Sequence, residues 1–570
     1  MKLSIIAPTI TVLSMFNGSW AASQWPVMAD HGMVVSAHHL ATKVGVDVLK
    51  QGGNAVDAAI ATAYALAVVY PAAGNLGGGG FMTVRMASGE KTFLDFREKA
   101  PLNSNANMYL DSSGQVVKSS TKGHLSVAVP GTVAGLEMAR ERFATMKRVQ
   151  LIEPAIKLAK KGFILDGGDV EMLKIATDDF KRDEGLNKIF LHHGEPFKEG
   201  ELLIQTDLSQ TLKRINRYGA DGFYKGYTAK ELVFASRKGG GIITREDLRQ
   251  YTAREMSPIE CDYRGYQVIS APPPSSGGVI LCEMLKILEP YPIQSLGFNS
   301  AKTVHLMVEA MRNAYQDRNT FLGDPAFVNN PIEQLLSTQH SEEIRNKIQE
   351  TMATPSVNVN PSSQWNEGVN TTHFSVVDHW GNAVSLTFTL NEWFGAKVLA
   401  GKTGVILNDE MDDFTVKLGE PNKFKLVQGL ANKIEPGKRP LSSMTPTIVT
   451  KNGKVVMSLG TPGGSRIITA VLQTLINVID FKMNIQEAVD APRFHHQWLP
   501  DQIYVEDRSL SIDTARLLSE WGYRIVMSGQ SNHLAAIFVN QGKDERNFFI
   551  LKHFNGANDS RSRSGLALGY

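Results

Sequence analysis

The sequence has 570 residues, of which 42% are apolar and 20% are charged. A chain of this length needs more than one small core, so more than one domain or layer is expected. The net charge of +2, from 59 basic and 57 acidic residues, argues against a nucleic acid or another polyanion as partner. The two cysteines, Cys261 and Cys282, are too few for a tetrahedral thiolate metal site, and whether they pair stays open.

The N-terminus is typical of a secretory signal peptide. Lys2 precedes an apolar stretch from about Leu3 to Phe16, and small residues follow. The alternative, a transmembrane anchor, would need roughly 20 apolar residues, and neither this stretch nor a later one is long enough. We expect residues 1–21 to be a signal peptide cut near Ala21 or Ala22, and the protein to be periplasmic or secreted.

Two helices are predicted before residue 70. They join at Gly52-Gly53, with Asn54 as N-cap of the second. The apolar run from Ala55 to Val69 contains Asp57 and many small residues, which favours a buried core helix. A glycine turn and two strands follow in "NLGGGGFMTVR" and "KTFLDFREKAP"; the turn lacks the GK[ST] of a phosphate loop.

Residues 130–350 show mostly helical patterns. The segment from Met352 to Gly368 loses periodicity and is rich in Pro, Ser and Asn, which predicts an exposed, mobile linker. Strands and turns follow, with one long helix near Ser465–Val478. Neighbouring residues on a strand point to opposite faces, so no metal site is predicted at the adjacent histidines. These pairs are His38-His39, His192-His193 and His495-His496.

A β-hairpin is predicted for residues 371–391. Strands Thr371–Asp378 and Asn382–Asn391 flank a three-residue loop that ends in Gly381, in the left-handed position. This register places Thr371 opposite Thr389 and separates an apolar face from a hydroxyl-rich face, as in a half-buried antiparallel pair. The apolar face carries Phe374, Val376, Val384, Leu386 and Phe388, and the other carries Thr371, His373, Ser375, Ser385, Thr387 and Thr389.

Thr371 has two interpretations. Threonine favours strands through its β-branch alone, so this residue could be purely structural. A threonine that becomes a chain N-terminus, however, carries a hydroxyl nucleophile together with an α-amine base, whose pKa of roughly 7.7 to 8 leaves part of it unprotonated near neutral pH. Cleavage between Asn370 and Thr371, after a polar segment, would create such a residue. Thr372 points to the other face and is assigned no chemistry.

A series of motifs resembles the γ-glutamyltranspeptidase (glutathione hydrolase) family of self-cleaving N-terminal-nucleophile hydrolases. The match runs in order from about residue 32 to the C-terminal "LALGY". The motifs are "GGNAVDAA", "NLGGGGFM", "DFREKAP", "VPGTVAGL", "NTTHFSVVD", "LNDEMDDF", "KRPLSSMTPTIV", "GTPGGSRI" and "APRFHHQWLPD".

The resemblance implies an α+β fold, a four-layer αββα sandwich built from a large and a small subunit cut from one precursor. Residues 22–370 would form the large subunit and 371–570 the small catalytic one. The N-terminal threonine would attack a γ-glutamyl amide, such as glutathione, and pass the γ-glutamyl ester to water or to an amino acid or peptide. No metal or organic cofactor is implied.

The resemblance also assigns roles to individual residues. Thr371 matches the nucleophile, Thr389 a threonine that hydrogen-bonds near it, and Gly463 and Gly464 the N–H groups of an oxyanion hole. Arg97, Ser442 and Ser443 match the family's residues that bind the carboxylate of the substrate. Asn391, Glu410 and Asp413 match those that bind its ammonium group. Residues 419–439 resemble a lid loop, with Phe424 where many members carry tyrosine.

Two alternatives remain open at this stage. One is an acylase of the same fold with another acyl specificity, although such relatives tend to lack the lid. The other is a secreted, non-catalytic binding protein that keeps the fold without cleavage.

Overall fold

The computed structural model describes residues 23–117, 120–356, 371–529, 532–540 and 554–570. The predicted signal peptide and Asn370 lie outside the described residues, as does most of the predicted linker. The beginning of that linker is anchored rather than free: the Ala353 N–H donates to the Trp521 carbonyl and the Ser356 N–H to the Asp501 carboxylate, each over 2.7 Å.

Most strands belong to two seven-stranded antiparallel sheets. The strands are β1 (Val27–Ala29), β2 (Met33–Ser36), β3 (Gly79–Arg85), β4 (Lys91–Asp95), β5 (Phe163–Ile164), β6 (Leu191–His192), β7 (Glu195–Pro196), β8 (Leu202–Leu203), β9 (Arg254–Met256), β10 (Ile259–Tyr263), β11 (Tyr266–Ser270), β12 (Thr371–Val377), β13 (Ala383–Thr389), β14 (Thr447–Lys451), β15 (Lys454–Gly460), β16 (Phe494–His495), β17 (Ile503–Val505), β18 (Ile525–Met527), β19 (Ala535–Val539), β20 (Phe554–Asn558) and β21 (Leu566–Gly569). The first sheet has the order β1-β20-β19-β15-β14-β11-β10, and the second has the order β21-β2-β12-β13-β3-β4-β9.

Helices cover the outer face of each sheet. They are α1 (His39–Lys50), α2 (Ala55–Val69), α3 (Thr132–Phe143), α4 (Arg148–Lys161), α5 (Gly167–Lys174), α6 (Thr177–Arg182), α7 (Glu184–Phe190), α8 (Thr206–Tyr218), α9 (Asp221–Tyr224), α10 (Gly226–Lys238), α11 (Arg245–Gln250), α12 (Gly277–Leu288), α13 (Ile293–Leu296), α14 (Ala301–Phe321), α15 (Ile332–Leu335), α16 (Thr338–Arg345), α17 (Ile467–Ile479), α18 (Ile485–Asp490) and α19 (Ile512–Glu520). One core joins α1–α4 to the second sheet, and another joins α12, α14 and α17 to the first. A third core, including Val35, Ala383 and Ile537, lies between the sheets. The expected αββα sandwich is confirmed.

Helix α2 illustrates how local sequence fixes an element. The Asn54 side chain accepts hydrogen bonds from the N–H groups of Val56 and Asp57, and the Asp57 carboxylate accepts the Asn54 N–H, which closes a capping box. Every residue of the helix is buried, so its small side chains allow neighbouring layers to approach on all sides. The prediction of a buried core helix capped by Asn54 is confirmed.

The predicted hairpin register is confirmed, since Thr371 pairs with Thr389 and the strands stay in step to Val377 and Ala383. Gly381 has φ +91° as expected. The prediction of a half-buried pair was wrong, because both faces of β12 and β13 are buried. The hydroxyl-rich face lies against the first sheet, where Ser375 donates to the Ala535 carbonyl.

Two smaller predictions are resolved by the fold. Cys261 of β10 and Cys282 of α12 form a disulfide, which settles the pairing that the sequence left open. The strand argument was wrong for the first histidine pair: His38 caps α1 and His39 begins it, and their rings stack with centroids 4.6 Å apart.

Candidate active site

A small pocket lies where β12 begins. It brings together the site residues named from the sequence, apart from Asn370, which is outside the described residues, and Gly463, which adjoins it. The pocket is lined by Arg97, Arg318, Thr371, Thr389, Asn391, Glu410, Asp413, Phe424, Leu426, Ser442, Ser443, Met444, Gly464, Ser465 and Ile467.

Two threonine hydroxyls meet at one end of the hairpin. The Thr389 hydroxyl donates to the Thr371 hydroxyl over 3.3 Å, and it accepts the Asn391 N–H over 2.9 Å. Asn391 has φ +74°, a left-handed conformation that asparagine tolerates better than most residues. This tight turn directs the proton of Thr389 toward Thr371. The Thr371 oxygen therefore has a fixed partner on one side and the pocket on the other.

The glycine run before β3 lets the backbone approach this pair closely. A Cβ atom on Gly78 would lie 1.9 Å from the Thr389 carbonyl oxygen, so no other residue fits there. The Asn75 side chain donates to the same carbonyl over 2.9 Å and accepts the Gly78 N–H over 2.9 Å. "NLGGGG" is thus a structural support for Thr389 rather than a phosphate-binding loop.

Four charged residues form a buried group that we name the Arg97 cluster: Arg97, Glu98, Glu410 and Asp413. The Arg97 guanidinium pairs directly with the Glu410 and Asp413 carboxylates, and Glu98 lies 3.5 Å away. Burial and neighbouring carboxylates raise the pKa of Glu410 well above its usual value, and burial raises that of Glu98 to about 7. Three carboxyl groups share one guanidinium, so the raised pKa values mean that the cluster holds protons, which an added cation would favour releasing.

Arg318 of α14 lines the same pocket and was missed by the sequence analysis. Its guanidinium donates to the hydroxyls of Ser276 and Ser443 over 2.9 and 3.0 Å and to Gln428 over 3.1 Å. Within the described residues it forms no ion pair, and burial lowers its pKa to about 10. A buried cation held only by neutral groups attracts an anion, so the pocket has a second positive side chain.

Gly463 and Gly464 form a turn before α17. Their φ angles are +131° and +55°, and residues Gly464–Arg466 make a 3₁₀ turn that leads into the helix at Ile467. The predicted start near Ser465 is therefore two residues early. A Cβ atom on Gly464 would lie 2.4 Å from the Phe424 ring, so the absence of a side chain lets Phe424 pack over this turn.

The segment 419–439 covers the pocket through several hydrogen bonds. The Lys423 N–H donates to the Asp412 carboxylate over 3.0 Å, and the Gln428 and Asn432 side chains donate to the Asp413 carbonyl over 3.0 and 2.7 Å. Gln497 in turn donates to the Phe424 carbonyl over 3.0 Å. The segment predicted to be a lid therefore lies over the pocket, with Phe424 only 5% exposed.

Solved structures resemble this fold. Cephalosporin acylase from Bacillus halodurans matches with a TM-score of 0.82 and 26% identity over 97% of this chain and 98% of that chain. A chain of Helicobacter pylori gamma-glutamyltranspeptidase matches with a TM-score of 0.56 and 43% identity, covering 60% of this chain and 97% of its own. Together with the αββα layers and the strand-initial threonine, these matches place the protein in the class of N-terminal-nucleophile hydrolases.

Sequence comparisons define the family within that class. The family model for gamma-glutamyltranspeptidase matches residues 41–569. The glutathione hydrolase proenzyme of Pseudomonas sp. (strain A14) is 59% identical over 96% of both chains. That of Escherichia coli (strain K12) is 46% identical over 96% of this chain and 93% of its own. The chain belongs to the gamma-glutamyltranspeptidase family.

Proposed function

We propose that this protein is a γ-glutamyltransferase and glutathione hydrolase that generates its own nucleophile by cutting the bond between residues 370 and 371. The main observation is the Thr371 hydroxyl, which begins a strand and opens into a pocket with buried charges of both signs. A γ-glutamyl group carries an α-carboxylate and an α-ammonium on one carbon, so it complements such a pocket.

Maturation would begin with attack of the Thr371 oxygen on the Asn370 carbonyl carbon. The acyl group shifts from nitrogen to oxygen, and water hydrolyses the resulting ester to release Thr371 with a free α-amine. The hydrogen bond from Thr389 orients the Thr371 oxygen for this attack. The Helicobacter pylori chain supports a two-chain product, because it covers 60% of this chain, a share similar to that of residues 22–370.

In the mature enzyme the same oxygen would attack the γ-amide carbon, with the α-amine taking the proton and returning it to the leaving amine. The N–H groups of Gly463 and Gly464 would bind the oxyanion, a contact whose loss typically costs about 2.7 to 4 kcal/mol of barrier. The γ-glutamyl ester would then pass to water or to the amine of an amino acid or peptide. Phe424, packed over Gly464, would limit the access of water to that ester.

Recognition of the substrate would rearrange the Arg97 cluster. The α-carboxylate would bind Arg97, Ser442 and Ser443, and the ammonium would bind Asn391, Glu410 and Asp413. Because Arg97 pairs with Glu410 and Asp413, the zwitterion would insert between groups that already face each other. Arg318 would support the carboxylate through its hydrogen bond to Ser443.

A gel of purified protein tests the self-cleavage. The wild type should give two pieces, residues 22–370 and 371–570, and N-terminal sequencing of the smaller should begin Thr371-Thr372. Thr371→Ala should remain one chain, whereas Thr371→Ser should still mature, since serine keeps the hydroxyl. A matched control is Thr372→Ala, which should mature normally. Active wild-type protein that stays one chain, or a maturing Thr371→Ala, would rule out the mechanism.

An acylase activity is the second candidate, since the cephalosporin acylase shares the whole fold. A glutaryl group lacks the ammonium, and its binding would leave Glu410 and Asp413 without the cation they complement. Assays of a γ-glutamyl anilide against a glutaryl amide separate the two activities. We expect a clear preference for the γ-glutamyl compound, and a preference for the glutaryl amide would favour the acylase.

We also propose a periplasmic or secreted location. The disulfide between Cys261 and Cys282 supports it, because disulfides persist mainly in oxidising compartments. In the described part of the chain, the helices are all too short or too polar to cross a bilayer.

A further inference from the structure

Three helices bring two carboxylates and a histidine together outside the pocket. We name this group the Glu283 cluster; it consists of Glu283 on α12, Asp317 on α14 and His340 on α16. The His340 Nε2 atom lies 2.8 Å from an Asp317 oxygen and 3.4 Å from a Glu283 oxygen. One donor atom from each residue lies within 4.8 Å of the others.

Hydrogen bonding within the protein does not account for Glu283. Its side chain is 0% exposed, and neither oxygen has a hydrogen-bond partner among the described residues. Both carboxylates approach the same ring nitrogen, which has at most one proton to donate, and the shorter contact goes to Asp317. A buried carboxylate whose contact is a 3.4 Å ion pair to an imidazole shared with Asp317 is costly, so a further positive charge would stabilise the arrangement.

No lysine or arginine of the described residues supplies that charge. Lys286 lies one turn from Glu283 on α12, but its ammonium donates to the Leu336 carbonyl over 2.6 Å. The Arg345 guanidinium on α16 donates to the Lys286 carbonyl over 3.1 Å and reaches Glu342 rather than the cluster. The side chains of Lys286 and Arg345 therefore bind other groups and do not contact Glu283.

We propose that the Glu283 cluster binds a divalent transition-metal ion, with Zn²⁺ as its best representative. Imidazole and carboxylate ligands together suit such ions, and three protein ligands leave the fourth tetrahedral position to water. Donor atoms around Zn²⁺, with bonds of about 2.0 Å, lie roughly 3.3 Å apart, close to the two distances measured from Nε2. His340 and Asp317 are 19% and 17% exposed, which gives the ion a path of entry.

The ion would connect three helices. It would also be linked to the pocket, because one of its ligands is adjacent in sequence to a residue that lines the pocket. Asp317 would ligate it on one side of α14, while the next residue, Arg318, donates to Ser443 in the pocket. Cys282 precedes Glu283 and is tied to β10, so the site also lies beside a covalent crosslink. We expect the bound ion to hold α12, α14 and α16 together and so to stabilise the position of Arg318. The ion would take no part in the chemical step.

A second group of similar composition offers a matched control. His38, His39 and Asp166 also lie within reach of one another, but both ring nitrogens of His38 are occupied. Its Nε2 lies 3.1 Å from Asp169, and its Nδ1 accepts the Leu40 N–H over 3.2 Å. We therefore expect no ion there, and His39→Gln should leave metal binding unchanged.

The test uses the purified, mature protein after treatment with a chelator. Isothermal titration with Zn²⁺ should show one site, Zn²⁺ should raise the thermal midpoint, and Co²⁺ should give the absorption bands of a tetrahedral site. Glu283→Gln and His340→Gln should each weaken Zn²⁺ binding by more than about 100-fold, since even outer partners of metal ligands contribute about 10- to 100-fold. His39→Gln should bind like the wild type.

Three outcomes would overturn the proposal: no binding of Zn²⁺ or Co²⁺, binding that both cluster variants retain, or binding of Ca²⁺ in preference to Zn²⁺. If Glu283→Gln fails to fold, His340→Gln decides, because His340 is part-exposed and its loss leaves the helix core intact. The readouts are independent of γ-glutamyl turnover, so failure here is distinguishable from failure of the proposed function.

Discussion

The Arg97 cluster and the Glu283 cluster are both groups of buried carboxylates, but they differ in what neutralises them. In the Arg97 cluster a guanidinium contacts two carboxylates directly. In the Glu283 cluster, among the described residues, the positive group that contacts the carboxylates is a histidine, and no hydrogen bond to Glu283 is formed there. The Arg97 cluster contains a permanently charged counter-ion, the guanidinium. The Glu283 cluster depends on a proton or an added ion to offset its charge.

This difference predicts what each cluster can do. Arginine stays charged at every physiological pH, so the Arg97 cluster always contains a positive group that can bind the carboxylate of a zwitterionic substrate. Glu283 can release its charge by binding a proton, or keep it by binding a metal ion. The first cluster should therefore be intolerant of substitution, and the second should be tolerant in the absence of metal.

The largest effect is expected for Arg97→Met, which leaves Glu410 and Asp413 buried without their cation. Removing one partner of a buried ion pair typically costs about 3 to 5 kcal/mol of unfolding free energy, and turnover should be lost as well. Denaturant unfolding and a γ-glutamyl anilide assay measure the two losses. Arg97→Lys is the control: it should recover part of the stability but less of the activity, because lysine lacks the planar fork. If Arg97→Met were as stable as the wild type, the Arg97 cluster would not depend on its guanidinium, and the proposed difference between the two clusters would be wrong.

An intermediate effect is expected for Glu410→Gln, since Arg97 keeps its contact with Asp413. Loss of one hydrogen bond to a charged group corresponds to about 1.5 to 3 kcal/mol, which would raise KM for γ-glutamyl substrates by roughly tenfold or more. A glutaryl amide, which lacks the ammonium, provides the control and should lose much less. Equal losses for both substrates would argue that Glu410 is structural and does not bind the ammonium.

A smaller, pH-dependent effect is expected at Asp412, beside the Arg97 cluster. Burial raises its pKa from the usual 3.8 to about 7, although the hydrogen bond from the Lys423 N–H opposes the shift. The native state therefore binds more protons than the unfolded state between about pH 4 and 7, and this residue's contribution to stability falls as pH rises through that range. Asp412→Asn should remove that part of the slope.

Unfolding free energies measured between about pH 4 and 7 test this sign. The control is Asp111→Asn: Asp111 is exposed, and hydrogen bonds from Ser113 and Gln115 lower its pKa from 3.8, so its contribution changes only below that pH and its substitution should leave the slope in the measured range unchanged. An unchanged slope in Asp412→Asn would contradict the assignment.

The smallest effect is expected for Glu283→Gln in chelator-treated protein. Replacing an acid without a partner by its neutral isostere should change the unfolding free energy by less than about 1 kcal/mol. The same substitution should cost far more when Zn²⁺ is present, because the metal stabilises only the wild type. A large loss in the absence of metal would show that Glu283 is paired after all and that the two clusters are alike.

The sequence predicted local geometry well where short-range rules decide it. Loop length and Gly381 fixed the register of the hairpin, and hence the opposition of Thr371 and Thr389. Asn54 marked the start of α2. The burial of the hydroxyl-rich hairpin face was not predictable in the same way, because alternation along a strand is identical whether a polar face meets water or a second sheet.

Long-range charge pairing was the main limit of the sequence analysis. Arg97 precedes Glu410 by more than three hundred residues, and only family resemblance brought them together. Arg318 lies in the polar stretch "YQDRN" on a helix, and the sequence there does not distinguish an arginine that points into a pocket from one that is exposed to solvent. The Glu283 cluster draws on three separate helices, so no spacing rule could have indicated it.

The strand order of the second sheet has a mechanical consequence. β12 and β13 follow the proposed cut, yet they lie between β2 and β3, which precede it. Each piece is thus hydrogen-bonded into the interior of the other's sheet, with no flat boundary along which the two could slide apart. Separation of the two pieces should therefore require unfolding of both, so the midpoint of unfolding of the cut protein should fall as its concentration falls.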